Sequence, residues 1–371
     1  MDNKVLEKNK KLTFCERKLL EAKDIRSRKS SIFYLAICLL SVITIIVAWI
    51  IETNTNGVES TSSFFQVVDW RYIYAILSIL LLVLLLRSFS DYLYLYLKTK
   101  QRKFLTLFNG NVKRNFYDNL SSYGRTGATV LNSYLFDKNI DSRLSVELSY
   151  GKRLFNRISL IIYSIVVLTI GCCFVFDGSL IWIFVASLIG FVVNCVIVIF
   201  VLYFDKSKEK YVKVVGWLSK CLYKLKLIKD YEVFYSNTID KLVVCNTYLK
   251  AKKVVLIVQI VAELVVRFLK HLLLFVVLCM INHGSLLAFV QILFGLTMID
   301  LVFEIYPQSK GVLIFEVLFI TLFSPVFFEG YVVWGMLIYR VVDLYIPVLM
   351  FVILELIEVV FNKLKLKRLN K

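Results

Sequence analysis

Apolar residues in this chain gather into windows of about 18 or more positions, the length that crosses about 30 Å of hydrocarbon at 1.5 Å per residue. The pattern predicts six spans, near 31–51, 72–86, 158–176, 179–204, 254–281 and 285–306. Asp177-Gly178 makes a tight turn between the third and fourth, and Asn282-His283-Gly284 separates the last two. A further apolar stretch, 311–361, is too long for one span and is broken by Pro325 and Pro347. Two crossings with a turn near 325–330 fit it, with re-entrant half-helices as the alternative. The expected fold is therefore all-α, a polytopic transmembrane bundle of about eight spans.

Between the windows the periodicity changes. Tyr211, Val215, Leu218, Leu222 and Leu225 recur at helical spacing among Lys210, Lys213, Lys220 and Lys224, and Tyr235, Ile239, Leu242 and Leu249 form a second stripe. Over 205–250 this reads either as amphipathic helices on a membrane surface or as a helical hairpin packed on neighbouring elements. Residues 119–127 have turn chemistry between helical patterns.

Composition supports the membrane reading: 59% of the 371 residues are hydrophobic, 15% are aromatic, and mean hydropathy is +0.73. The net charge of +18 is distributed unevenly. Of the 45 Lys and Arg residues, 39 fall in 1–30, 98–157, 205–253 and 362–371, whereas the intervening connections hold none. Basic loops stay on the cytoplasmic face, so both termini are expected there, with a basic segment 1–30, a membrane domain 31–361 and a basic tail 362–371. Topology accounts for the charge, and nucleic-acid binding is not expected. The start of the chain does not read as a cleavable signal. Eight cysteines without a CxxC pair and only two histidines argue against a disulfide framework or a metal centre. No cofactor is expected, and no Walker loop, GxGxxG turn or Ser-His-Asp set is present.

Charges inside spans cost about 2.5–3.5 kcal/mol each at mid-bilayer, so they pair or line water. Glu263 and Arg267 are four apart and Arg340 and Asp343 three apart, spacings that allow pairing within a helix. Asp300, Glu304 and Glu316 have no basic residue at such spacing. They are candidates for a polar cavity in which carboxylates meet a cationic headgroup and Arg267 or Arg340 its phosphate. The plainer alternative leaves Asp300 and Glu304 solvated or bonded to Lys310. Glu355 and Glu358 are expected to face water or the basic tail.

The run Asn119-Leu120-Ser121-Ser122-Tyr123-Gly124 with Gly127 resembles a stretch of the flippase-like membrane domain of lysylphosphatidylglycerol synthases, the multiple peptide resistance factor family. Pro307, Gly311 and Glu316, then Tyr339-Arg340 and Pro347, resemble that family's closing pattern, although Gln308-Ser309-Lys310 departs from it. The resemblance spans roughly 30–360. It implies a domain that moves an aminoacylated or other polar phospholipid between leaflets, with membrane phospholipids as partners. Phosphatidylglycerol lysyltransferase activity would need a separately encoded soluble enzyme, because the segments outside the spans are too short for a synthase fold. A glycolipid transporter and a structural scaffold are the other readings.

Overall fold

The computed structural model describes residues 50, 68–120, 126–175, 178–204, 208–224, 230–250, 252–281, 284–305, 314–327 and 331–369. Among the described residues there are eleven helices and no strand. In chain order these are α1 (Tyr72–Thr99), α2 (Phe104–Leu120), α3 (Thr126–Asp137), α4 (Ser142–Phe174), α5 (Ile181–Tyr203), α6 (Lys208–Lys224), α7 (Tyr231–Leu249), α8 (Lys253–Met280), α9 (Leu286–Ile305) and α10 (Ile314–Phe323). The last, α11, comprises Val332–Arg340, a π turn at Val341–Tyr345, and Ile346–Leu369.

Five of these helices are long and apolar enough to cross a membrane: α1, α4, α5, α9 and the Val332–Glu358 part of α11. The chain is thus a multi-pass membrane protein by helix length and composition. The span expected at 254–281 is α8, of 28 residues, but Glu263, Arg267 and Lys270 interrupt its apolar run. The span expected at 31–51 lies outside the described residues, apart from Ile50. The stretch 311–361 does not give two full crossings among the described residues. There, α10 is a ten-residue helix, about 15 Å long and half the hydrocarbon thickness. It ends in the turn at 324–327, close to where Pro325 predicts one.

Helix α8 is the hub, packing on α1, α4, α9 and the first half of α11, while α5 lies against α9 and α4. Its neighbours approach closely where side chains are small. A Cβ at Gly190 of α5 would sit 2.1 Å from the Leu301 carbonyl oxygen of α9, so this crossing requires glycine. The opposite face of α5 shows Val185, Ile189, Val192, Val196 and Ile199 outward, as expected of a helix against lipid.

Two apolar clusters fill the bundle at opposite ends. One joins Leu274, Val277 and Leu278 of α8 to Ile292, Phe294 and Met298 of α9, and to Phe319, Phe323 and Met336. The other collects Tyr94, Leu95, Leu107, Leu131, Leu148, Phe155 and Tyr248 from α1, α2, α3, α4 and α7. Charged side chains occupy the level between them.

Within 205–250, α6 packs on α7, and α7 on the π turn Glu147–Gly151 within α4. Tyr248 is fully buried, stacked 4.1 Å from Tyr94, and a Cβ at Gly151 would lie 2.5 Å from its ring. Cys245 Sγ rests 3.9 Å from the Tyr150 carbonyl, and burial pushes its thiol up to about 11. A variant retaining only Cys245 should therefore resist maleimide at pH 7.5, because thiolate is the reactive form. Labelling as fast as that of a free peptide thiol would show that the hairpin does not stay docked.

Candidate functional site

Four helices carry polar stripes at helical spacing, and the packing turns the stripes toward one another. They are Arg87 and Asp91 on α1, Lys152, Asn156, Ser159 and Tyr163 on α4, Gln259, Glu263, Arg267 and His271 on α8, and Thr297, Asp300 and Glu304 on α9. Of these, Arg87, Lys152, Asn156, Glu263, Arg267, His271, Asp300 and Glu304 line a cavity of about 360 Å³. Helix α2 contributes Asn111, Arg114, Asn115 and Asp118, and α11 contributes Tyr339, Arg340 and Asp343. Leu160, Val266, Leu296, Ile299, Phe303 and Phe315 give the same space an apolar side.

The wall toward α1 is a buried ion network. Lys152 Nζ donates to Asp91 Oδ1 at 2.9 Å and to the Arg87 carbonyl at 3.2 Å, and lies 3.7 Å from Glu263 Oε1. Asn111 Nδ2 donates to the other Asp91 oxygen at 2.9 Å, and Arg87 stands 3.7 Å from Glu263. Asp91, Lys152 and Glu263 are each 3% exposed or less. Such ions persist only with partners of opposite sign.

Glu263 is held by cations from α1 and α4, not by Arg267 four residues along its own helix. Arg267 instead bonds Asp300 of α9 and donates to Asn156 Oδ1 at 2.8 Å. Asp300 also lies 3.4 Å from His271 Nε2, and His271 Nδ1 is 3.1 Å from the Tyr163 hydroxyl. Glu304 pairs with Arg157 at 2.9 Å, and Arg157 donates to Asn194 Oδ1 of α5. Arg340 binds Glu316 of α10 through Nε at 3.0 Å and Nη2 at 2.7 Å, over the Phe315 ring at 4.0 Å. A bundle aligns charges on different helices at the same depth, which spacing along one helix does not register.

Each of the carboxylates Asp300, Glu304 and Glu316 therefore has an arginine from another helix, which spacing within one helix did not offer. Lys310 lies outside the described residues. Glu355 and Glu358 bind Lys113 of α2 at 2.5 and 2.9 Å, with Lys138 3.3 Å from Glu358.

The cavity lining holds eight basic side chains against five acidic ones, counting His271 as neutral. Arg87 Nε, Arg114 Nη1 and Arg267 Nε are buried N–H donors without a hydrogen-bond partner among the described residues. Such donors, in an excess of positive charge, suit an anion. Among the described residues no group of His, Cys, Asp or Glu is arranged to hold a metal ion.

A narrow apolar crevice adjoins the cavity, sharing Asn115, Lys270 and Asp343 with it. Its other walls are Leu80, Val83 and Leu84 of α1, Val112, Leu273, and Pro347 and Met350 of α11. Pro347 follows the π turn Val341–Tyr345. A proline ring clashes with the carbonyl four residues earlier, here that of Asp343, and the wider turn accommodates it. A second π turn immediately precedes Lys152, so both irregular turns adjoin cavity residues.

The positions behind the family resemblance are placed unevenly. Tyr339 is buried and stacked on Phe315, with rings 5.9 Å apart, and Arg340 and Pro347 line the two spaces. Gly127 opens α3, its N–H donating to Asp118 Oδ1 at 3.1 Å, and a Cβ there would meet the Arg114 carbonyl at 2.3 Å. Asn119 lies in the last turn of α2, while Gly124, Pro307 and Gly311 fall outside the described residues. No family model matches the chain, and no curated protein or solved structure is significantly similar to it.

Proposed function

We propose that this protein is a membrane transporter that takes a phosphate-bearing polar lipid headgroup into the α1/α4/α8/α9 cavity and passes it between leaflets. The reading rests on one observation: a space of about 360 Å³ between the long helices, rich in arginine, with buried guanidinium N–H donors that have no partner among the described residues. Its volume falls in the range of small-ligand sites, about 300–1,000 Å³. Three arginines each offer one unpartnered N–H donor of the kind a phosphate oxygen accepts, and Leu160, Val266, Leu296, Ile299 and Phe303 give the same cavity an apolar side. The basic loops and both termini are placed on the cytoplasmic side by the Lys and Arg distribution.

An aminoacylated phosphatidylglycerol, suggested by the family resemblance, and unmodified phosphatidylglycerol share the phosphodiester. The excess of basic over acidic lining favours the unmodified, anionic lipid, since an added ammonium would enter a space already richer in cations than in carboxylates. Lysyltransferase activity is assigned to a separate soluble partner.

The test uses purified protein in liposomes with headgroup-labelled phosphatidylglycerol and lysyl-phosphatidylglycerol, read by dithionite protection, with soluble glycerol phosphate as competitor. Arg114→Gln should slow translocation about tenfold or more, because a hydrogen bond to a charged group contributes about 1.5–3 kcal/mol. Equal rates for the Arg114→Gln and unaltered proteins would remove the anion site. Competition by glycerol phosphate with no lipid movement would identify a soluble phosphate ligand instead.

A further inference from the structure

Helix α6 (Lys208–Lys224) has two faces with different fates. Val215 and Ser219 are buried, and Gly216 backs onto Tyr231 and Tyr235 of α7. The opposite face leaves Val214, Trp217 and Leu218 exposed, Trp217 at 67%. At 100° per residue, Val214, Trp217, Leu218 and Cys221 form one apolar stripe, and Lys213, Lys220 and Lys224 form a cationic stripe along its edge.

The position of this face is fixed by the membrane-length helix before it. Tyr211, in the first turn of α6, packs on Phe200 and Phe204 at the end of α5, with ring centroids 4.4 and 6.3 Å apart. Helix α6 therefore starts at the level where the lipid-facing surface of α5 ends, with Leu202 and Tyr203 exposed beside it. A tryptophan among aliphatic residues, bordered by lysines at that level, matches the interfacial layer of a bilayer in both polarity and charge.

We infer that the Trp217 face of α6 is an interfacial anchor that lies in the headgroup region of a leaflet rich in anionic phospholipid. In that position the apolar stripe enters to about 5–10 Å, and Lys213, Lys220 and Lys224 contact phosphates. The α6/α7 hairpin then couples lipid charge to the bundle, because α7 rests on the π turn next to Lys152. This assignment is independent of whether the central cavity moves lipid.

The experiment places the full chain in nanodiscs of phosphatidylcholine, with and without phosphatidylglycerol, and takes the emission difference between the unaltered protein and Trp217→Phe. Trp217 emission is expected to be blue-shifted. It should lose more intensity to lipids brominated on shallow acyl carbons than to deep ones, and less in either case when phosphatidylglycerol is omitted or salt is raised. The triple change Lys213→Gln, Lys220→Gln and Lys224→Gln should abolish the dependence on phosphatidylglycerol while leaving the protein's melting temperature unchanged. Red-shifted emission quenched by aqueous iodide and not by bromolipid would overturn the proposal. So would a Trp217 shielded from both quenchers, which would indicate a protein partner or a second copy on this face.

Discussion

Lys152→Met should lose most of its folded yield in detergent, and the surviving fraction should melt well below the unaltered protein. The ammonium is buried between Asp91 and Glu263, and removing it strands carboxylates that have almost no access to water. Breaking a buried ion pair from one side costs about 3–5 kcal/mol. The size of the loss reflects the stranded charge more than the lost attraction, so a second change should recover part of it. In Lys152→Met/Asp91→Asn one of the two carboxylates is neutral, and its amide still accepts the hydrogen bond from Asn111. Yield by fluorescence-detected chromatography and melting temperature would be measured for the single, the other single and the double variant. Purely additive losses would contradict a direct coupling of the two residues.

The second large effect is expected at Arg340. Arg340→Ala removes both hydrogen bonds to Glu316 and the contact with the Phe315 ring, leaving a carboxylate 5% exposed without its cation. The cost is again about 3–5 kcal/mol, and it should appear as lost folded yield. The pair replaced together, Glu316→Gln/Arg340→Met, leaves no net buried charge and should recover most of that yield. Glu316→Gln alone is milder, since its amide oxygen still accepts from Arg340, and it should preserve abundance. If α10 positions Arg340 for the headgroup, Glu316→Gln lowers lipid translocation at normal abundance. Normal translocation by that variant would leave the pair a packing device between α10 and α11.

The sequence made the elements far more legible than their partners. Apolar windows marked α1, α5, α8 and α9 within a few residues at most ends, because length and hydropathy are local properties. Helix α4 was shortened in that reading: it begins at Ser142, well before the apolar run at 158, because Lys152, Arg153 and Arg157 look like a loop when their partners are unknown. The signal that would have extended it was present. Lys152, Asn156, Ser159 and Tyr163 lie at spacings of four, three and four, a polar stripe on one helical face. Of the candidate site residues, Arg267, Asp300, Glu304, Arg340, Asp343 and Glu263 line one cavity, with Glu316 behind Arg340. The expected Glu263–Arg267 pairing gave way to partners on other helices, because depth in a bundle is shared between helices whose order along the chain does not reveal it. Arg87, Arg114 and Lys152 were missed as site residues for the same reason.

The two π turns carry a consequence for how this chain can change over time. Each amounts to one extra residue inserted into an otherwise regular helix, and one residue advances a helix by about 100°. Deleting a single position within Glu147–Gly151 would restore a regular helix and swing every side chain from Lys152 onward by that angle relative to those before it. Lys152 and Asn156 would leave the cavity together while the helix itself stayed intact. Drift by insertion or deletion is thus closed at these two places even where substitution is tolerated. A descendant that lost the insertion at Val341–Tyr345 would have to lose Pro347 as well. Single-residue length changes at these two turns would therefore separate relatives that keep the cavity from relatives that keep only the bundle.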